Sequence, residues 1–127
     1  LEASAPPLAC VVETLHLSLA CRPGGLSAAQ LAAYDARLAA IGCKLILIRV
    51  RPETHWARCI WERRNNGFIT HYGQKYGQSL HEIHAYYARE QQEMLAMFAQ
   101  STMEKLLLDG ELPPEQLLTQ AYPFWLS

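Results

Sequence analysis

Apolar residues recur at helical spacing in two long stretches of the chain and form unbroken runs in shorter ones. Leu31, Tyr34, Leu38 and Ile41 follow one another at three- and four-residue steps, the stripe of an amphipathic helix. Ser27 with Gln30 three positions on forms a capping box at its start, and Gly42 stands where a left-handed residue closes such a helix. Leu45 to Ile48, inside Lys44–Val50, are uninterrupted apolar residues and predict a strand buried on both faces, as in a parallel sheet. Pro52 ends that strand, a helix is expected from about Glu53 to Arg64, and Asn65-Asn66-Gly67 stops it. Phe68 to Gln78 has no period and reads as an exposed loop. Ser79 and Glu82 make a second capping box for a long helix to about Gln100, with Leu80, Ile83, Tyr87, Met94 and Phe98 broadly along one side. Lys105 to Leu108 reads as a short strand, Asp109-Gly110 as a turn, and Pro113-Pro114 as the start of a last helix. At the other end, Cys10 to Leu19 reads as a first strand, broken at Pro23-Gly24-Gly25.

The resulting order, β-α-β-α-loop-α-β-α, predicts an α/β fold: a parallel sheet with flanking helices, joined by right-handed crossovers. The chain has 127 residues, of which 50% are hydrophobic and 18% charged, which suits one domain over 1–127. Residues 1–9 are expected to be a flexible N-terminal segment. No stretch is long and apolar enough for a membrane span, and the opening LEASAPPLA lacks the basic and apolar regions of a signal peptide. The sequence does not begin with Met, which leaves room for residues upstream. Cys10, Cys21, Cys43 and Cys59 form no C-x-x-C pair and match no zinc spacing. They are expected to be reduced, mostly buried thiols of a cytoplasmic protein.

Charge narrows the ligand class. The net charge of −1 argues against a nucleic-acid polymer or an acidic membrane as partner. Yet Lys44, Arg49, Arg51, Arg58, Arg63, Arg64 and Lys75 face only Glu53 and Glu62 between positions 44 and 75. That basic middle section suggests a small anionic ligand, the alternative being solvated helix faces.

Several segments together resemble a family. VVETLHLS, at Val11 to Ser18, resembles the strand-end motif of P-loop deoxynucleoside and thymidylate kinases, in which an acidic residue and an arginine precede a serine. RPETHWARCIWERRNN resembles their strand-to-helix passage into the arginine-bearing lid that closes over ATP. HEIHAYYAREQQEML resembles the helix after the lid, and KLLLDGELPPEQL the last strand and final helix. The resemblance implies a nucleotide-kinase-like fold, incomplete here, with ATP and Mg as cosubstrate and metal and a nucleoside or nucleotide as partner. No G-x-x-x-x-G-K-[ST] phosphate loop occurs in the sequence, and Thr14 stands where the family has its arginine. In the family the phosphate-loop strand lies between the strands that resemble Cys10–Glu13 and Lys44–Val50. An upstream segment, a partner subunit such as a second copy, or a rearranged topology is therefore expected to fill that place.

By this resemblance Glu13 is the candidate catalytic carboxylate, acting as base toward a substrate hydroxyl or positioning it. Arg58 and Arg63 are candidate catalytic cations, and Arg58, Arg63, Arg64 and Lys75 candidate phosphate ligands, since guanidinium groups grip phosphate in planar, bidentate fashion. A surface carboxylate and helix-end cations are the bland alternatives. His81 and His84 share a helix face, but without a third ligand they predict no metal site, and His16 and His71 have no evident partner. Tyr72, Tyr76, Tyr86, Tyr87, Trp56 and Trp61 are candidates for stacking on a base or, more ordinarily, for packing. Phe124-Trp125 is expected to dock on the body or on a partner. The expected function is phosphoryl transfer once a phosphate-loop segment is supplied, the isolated chain being inactive. The alternatives are a non-catalytic remnant of the fold serving as a binding or homo-oligomeric assembly module, and a ligand-binding α/β domain of another family.

Overall fold

A computed structural model describes residues 11–12 and 16–127. The expectations for residues 1–9, for Glu13 and Thr14, and for the body of the Cys10–Glu13 strand lie outside the described residues. Val11 and Val12 carry no regular structure and are exposed. The remaining elements are α1 (His16–Cys21), α2 (Ala28–Ala40), β1 (Lys44–Arg49), α3 (Pro52–His55) running into a π-helical segment (Trp56–Trp61), α4 (Gly67–Tyr72) with a 3-10 turn (Gly73–Lys75), α5 (Leu80–Gln100), β2 (Glu104–Asp109) and α6 (Pro114–Leu126).

Local signals set most boundaries. Both capping boxes form as reciprocal hydrogen bonds, Ser27 with Gln30 at α2 and Ser79 with Glu82 at α5. Helix α2 closes on Gly42 at φ 79°, where Gly42 N–H bonds Ala39 O at 3.0 Å and Cys43 N–H bonds Leu38 O at 3.0 Å. That is the Schellman pairing, which a Cβ at the left-handed position disfavours. The C-terminus of α5 is closed by Lys105, whose ammonium donates to the carbonyls of Phe98, Ala99 and Ser101 at 2.8–2.9 Å. A cation there also meets the negative end of the helix dipole.

The two strands pair in parallel, from Lys44 opposite Glu104 to Arg49 opposite Asp109. The α/β class and the parallel pairing thus hold, with a sheet of two strands among the described residues. Lys44 lies at the start of β1 and also donates to Phe124 O and Ser127 Oγ, both at 2.8 Å, which docks the end of α6. Phe124 is half-buried there, whereas Trp125 is exposed.

Three expectations are corrected. Strand β1 is not buried on both faces: Ile46 and Ile48 are exposed, because among the described residues no layer covers β1 on that side of the two-stranded sheet. His16 to Leu19 is helical rather than extended: α1 packs on α2 and α5, with His16, Leu17 and Ser18 buried. The decisive contact is His16 with Asp35, nineteen positions away, which no local pattern encodes. Phe68 to Gln78 is not an exposed loop. It contains α4 and the 3-10 turn, and Ile69 joins Ile60 and Ile83 in the core, with Trp56, Leu80 and Tyr87 against them. Gly73 is also buried, and a Cβ there would come within 2.9 Å of Ile83 Cδ1. Burying each of these isoleucines contributes about 1.5–3 kcal/mol, which offsets part of the entropy lost in ordering a segment without helical periodicity. The expected helix after Pro52 is present, but from Trp56 it widens to π geometry, with Glu62 N–H reaching Ala57 O at 3.0 Å.

Candidate functional site

Ligands of parallel α/β sheets usually meet the carboxyl ends of the strands. Here β1 and β2 end side by side, and the residues just beyond them form a connected polar cluster. Gly110 N–H donates to Arg49 O at 2.7 Å, so the chain leaving β2 stays against β1. A Cβ on Gly110 would sit 2.6 Å from Val50 Cγ1 and 2.9 Å from Arg49 O, so the close approach requires glycine. Gln91, on α5, holds the end of β1 with both ends of its amide: Nε2 donates to Val50 O at 2.9 Å and Oε1 accepts from Val50 N–H at 3.1 Å.

Glu111 organises the next turn. Its carboxylate accepts from Arg51 N–H at 2.7 Å and from Thr54 Oγ1 at 2.7 Å, with Arg51 Nε 3.4 Å away. The bond from the Arg51 backbone and the one from Thr54 hold its carboxyl below the usual range, against a smaller opposing effect of desolvation. Arg58, on the π-helical segment, reaches back so that Nη1 donates to Gly110 O at 3.3 Å. An exposed guanidinium is thereby held at the strand ends, against the buried Gly110.

The other candidate residues are placed differently. Arg63 is exposed in the turn after the π-helical segment and has a contact of its own. Arg64 folds back on its own helix: Nη1 donates to Trp61 O at 2.6 Å and its guanidinium carbon lies 4.0 Å from the Trp61 ring centroid. It is a helix-end cation stacked on an aromatic face. Lys75 is exposed on the 3-10 turn. Of the four cations, only Arg58 is joined to the strand ends by a described bond.

The aromatic candidates mostly stack on each other. Trp56 lies parallel to His81 at 4.5 Å between centroids, and Tyr76 parallel to Tyr86 at 4.1 Å. His55 and His84 stack at 5.4 Å, and His84 Nε2 lies 2.9 Å from Pro52 O, which makes it the donor there. Burial, then the neighbouring His84, pushes the His55 imidazole below its ordinary value. No group of three or more His, Cys, Asp or Glu among the described residues is placed to hold a metal ion.

A second polar centre escaped the sequence reading. Asp35 and His16 are both buried, at 6% and 3% exposure. The Asp35 carboxylate accepts from His16 Nε2 at 3.1 Å, Ser101 Oγ at 2.5 Å, Thr102 N–H at 2.7 Å and Thr102 Oγ1 at 2.9 Å. Burial pushes its carboxyl up, but these four bonds together outweigh burial and hold it at about 2. The hub ties α1, α2 and the α5–β2 connection into one unit. Position 35 falls four after Leu31 and three before Leu38, so an acid on an apolar stripe was the available signal.

Cys21, Cys43 and Cys59 are free thiols and half-buried rather than mostly buried. Burial, reinforced by Glu90 and Glu93, pushes the Cys21 thiol up to about 11, which leaves it a poor nucleophile. No described helix is long and apolar enough to cross a membrane. No family model, curated protein or solved structure matches the chain.

Proposed function

We propose that the chain is the lid-bearing part of a nucleoside or nucleotide kinase-like phosphotransferase, of P-loop type, whose phosphate loop comes from elsewhere. The observation that carries this reading is Arg58, a guanidinium brought from the helix after β1 to the Gly110 carbonyl at the end of β2. Its remaining N–H groups suit phosphate oxygens, and its charge would offset the negative charge on a transferring phosphoryl group. In the reaction the bond between the γ-phosphorus and the bridging oxygen of ATP breaks, and a bond to the acceptor hydroxyl forms. The hydroxyl proton passes to a base, a role the resemblance gives to Glu13. Arg63, Arg64 and Lys75 would act only by moving toward the nucleotide. Mg²⁺ in such chemistry is held largely by substrate phosphates, so it would arrive with ATP rather than in a protein cage. The free thiols favour a reducing, cytoplasmic setting.

Calorimetric titration of ADP into the chain tests the reading. The expected result is weak binding that falls about tenfold in Arg58→Ala, the loss of one charge-assisted contact. Absence of binding, or equal binding by both proteins, removes its support. Turnover of ATP by the 127-residue chain alone would contradict the need for a separate phosphate loop.

A second reading is favoured by the sheet. Its two outer edges have no strand partner among the described residues, and Ile46, Ile48 and Leu107 are exposed on it. Such edges favour pairing with another chain. On this reading the protein is a non-catalytic binding or homo-oligomeric assembly module, and light scattering at micromolar concentration should give a dimer. A monomer would count against it.

A further inference from the structure

The turn after α1 faces the middle of α5 across a cavity of about 240 Å³. Arg22 and Pro23 line one side, and Tyr86, Arg89, Glu90 and Glu93 the other. The four α5 residues fall at i, i+3, i+4 and i+7, a single stripe of the helix, so their side chains share one face. Cys21 joins the two sides: its thiol lies 3.9 Å from Glu90 O and also bonds Glu93.

The charges on these walls do not neutralise one another. Arg89 and Glu93 stand four apart on α5, a spacing that permits pairing. Yet no ion pair among the described residues joins any of Arg22, Arg89, Glu90 and Glu93. Arg89 lies over the Tyr86 ring instead, its guanidinium carbon 5.8 Å from the centroid. Glu90 is half-buried, and its carboxylate accepts no hydrogen bond among the described residues. Burial pushes that carboxyl up and Arg22 opposes the rise, so the two charges sense each other across the cavity without pairing. Two guanidinium groups and two carboxylates thus line one cavity. A ligand of one charge would leave the cations or the anions unmatched, whereas one bearing both signs satisfies both through charge-assisted hydrogen bonds.

We propose that this cavity binds a small zwitterion of the α-amino-acid class. Its ammonium donates to Glu90 and Glu93, its carboxylate accepts from Arg22 and Arg89, and its side chain lies against Tyr86 and Pro23. The volume is below that of pockets for drug-sized ligands and suits a single amino acid. None of these residues belongs to the strand-end cluster, so the site is independent of the phosphate reading.

The test is an NMR titration of the full chain with leucine and its two singly charged analogues. Isopentylamine lacks the carboxylate and isocaproate lacks the ammonium. Leucine should give saturable amide shifts at residues 21–23 and 86–93 and bind about tenfold or more tighter than either analogue. Glu90→Gln and Arg22→Gln should each weaken leucine binding about tenfold. Neither side chain is fully buried or hydrogen-bonded, so both variants should keep the fold, and the comparison of probes on the unaltered chain is decisive alone. Isopentylamine binding as tightly as leucine marks a plain cation site, and isocaproate doing so a plain anion site; either overturns the proposal. So does the absence of saturable shifts with leucine, or undiminished binding in both variants.

Discussion

Replacing Asp35 by Asn keeps the size of the side chain and removes its charge, which makes it a sharp probe of the buried hub. Asp35 is depressed from an ordinary 3.8 to about 2. That difference corresponds to about 2 kcal/mol of folding stability at neutral pH. An Asn carbonyl can still accept one or two of the four bonds, but its NH₂ then confronts donors from Thr102 or Ser101. The loss at neutral pH should therefore be about 2–4 kcal/mol. The folded-state value lies below the unfolded one, so the carboxylate's contribution is fully present above 3.8 and is lost as pH falls toward 2. About half is gone near pH 3. Urea unfolding of both proteins across this range should show a gap that is widest at neutral pH and narrows in acid, with equal m-values. A gap that does not change with pH, or no gap, would refute the assignment of this stability to an ionised Asp35.

Other substitutions test the corrected segments and the strand ends. Ile69→Ala should cost about 2–4 kcal/mol in urea unfolding if Ile69 is core, against near-neutrality if its segment were an exposed loop. Gly110→Ala should destabilise by about 1–3 kcal/mol, because its Cβ has no space against Val50 and Arg49 O. His55, lowered by burial and by His84, favours the folded state most above its ordinary value of 6.5, and this contribution is lost as pH falls through that value. His55→Gln should flatten the fall in stability seen by thermal melts in that window, and an unchanged slope would exclude His55 as its source.

What was legible in the sequence was local or periodic. The Ser27 and Ser79 capping boxes, Gly42 and the apolar runs of β1 and β2 each act over a few residues, and each formed where expected. What was missed depends on distant partners. Helix α1 is held partly by a contact from α2, and α4 by isoleucines from the π-helical segment and α5. Polar residues on apolar stripes were the neglected sign. Asp35 lies between Leu31 and Leu38, and Gln91 is four after Tyr87 and three before Met94. Both turned out to satisfy buried or strand-end polar groups. At the candidate site, the resemblance named Arg58, Arg63, Arg64 and Lys75 alike as phosphate ligands. It did not distinguish Arg58 from Arg64, because a guanidinium stacked back on Trp61 leaves no trace in charge pattern.

The central claim is that the ends of β1 and β2, with Arg58, receive a phosphate-bearing ligand. Amide chemical shifts of the full chain, followed as pyrophosphate is added, test it most directly. The account predicts saturable shifts confined to residues 50–58 and 109–111, weakened in Arg58→Ala and unaffected by equal ionic strength of chloride. No saturable shift there, or shifts that Arg58→Ala leaves intact, would contradict it.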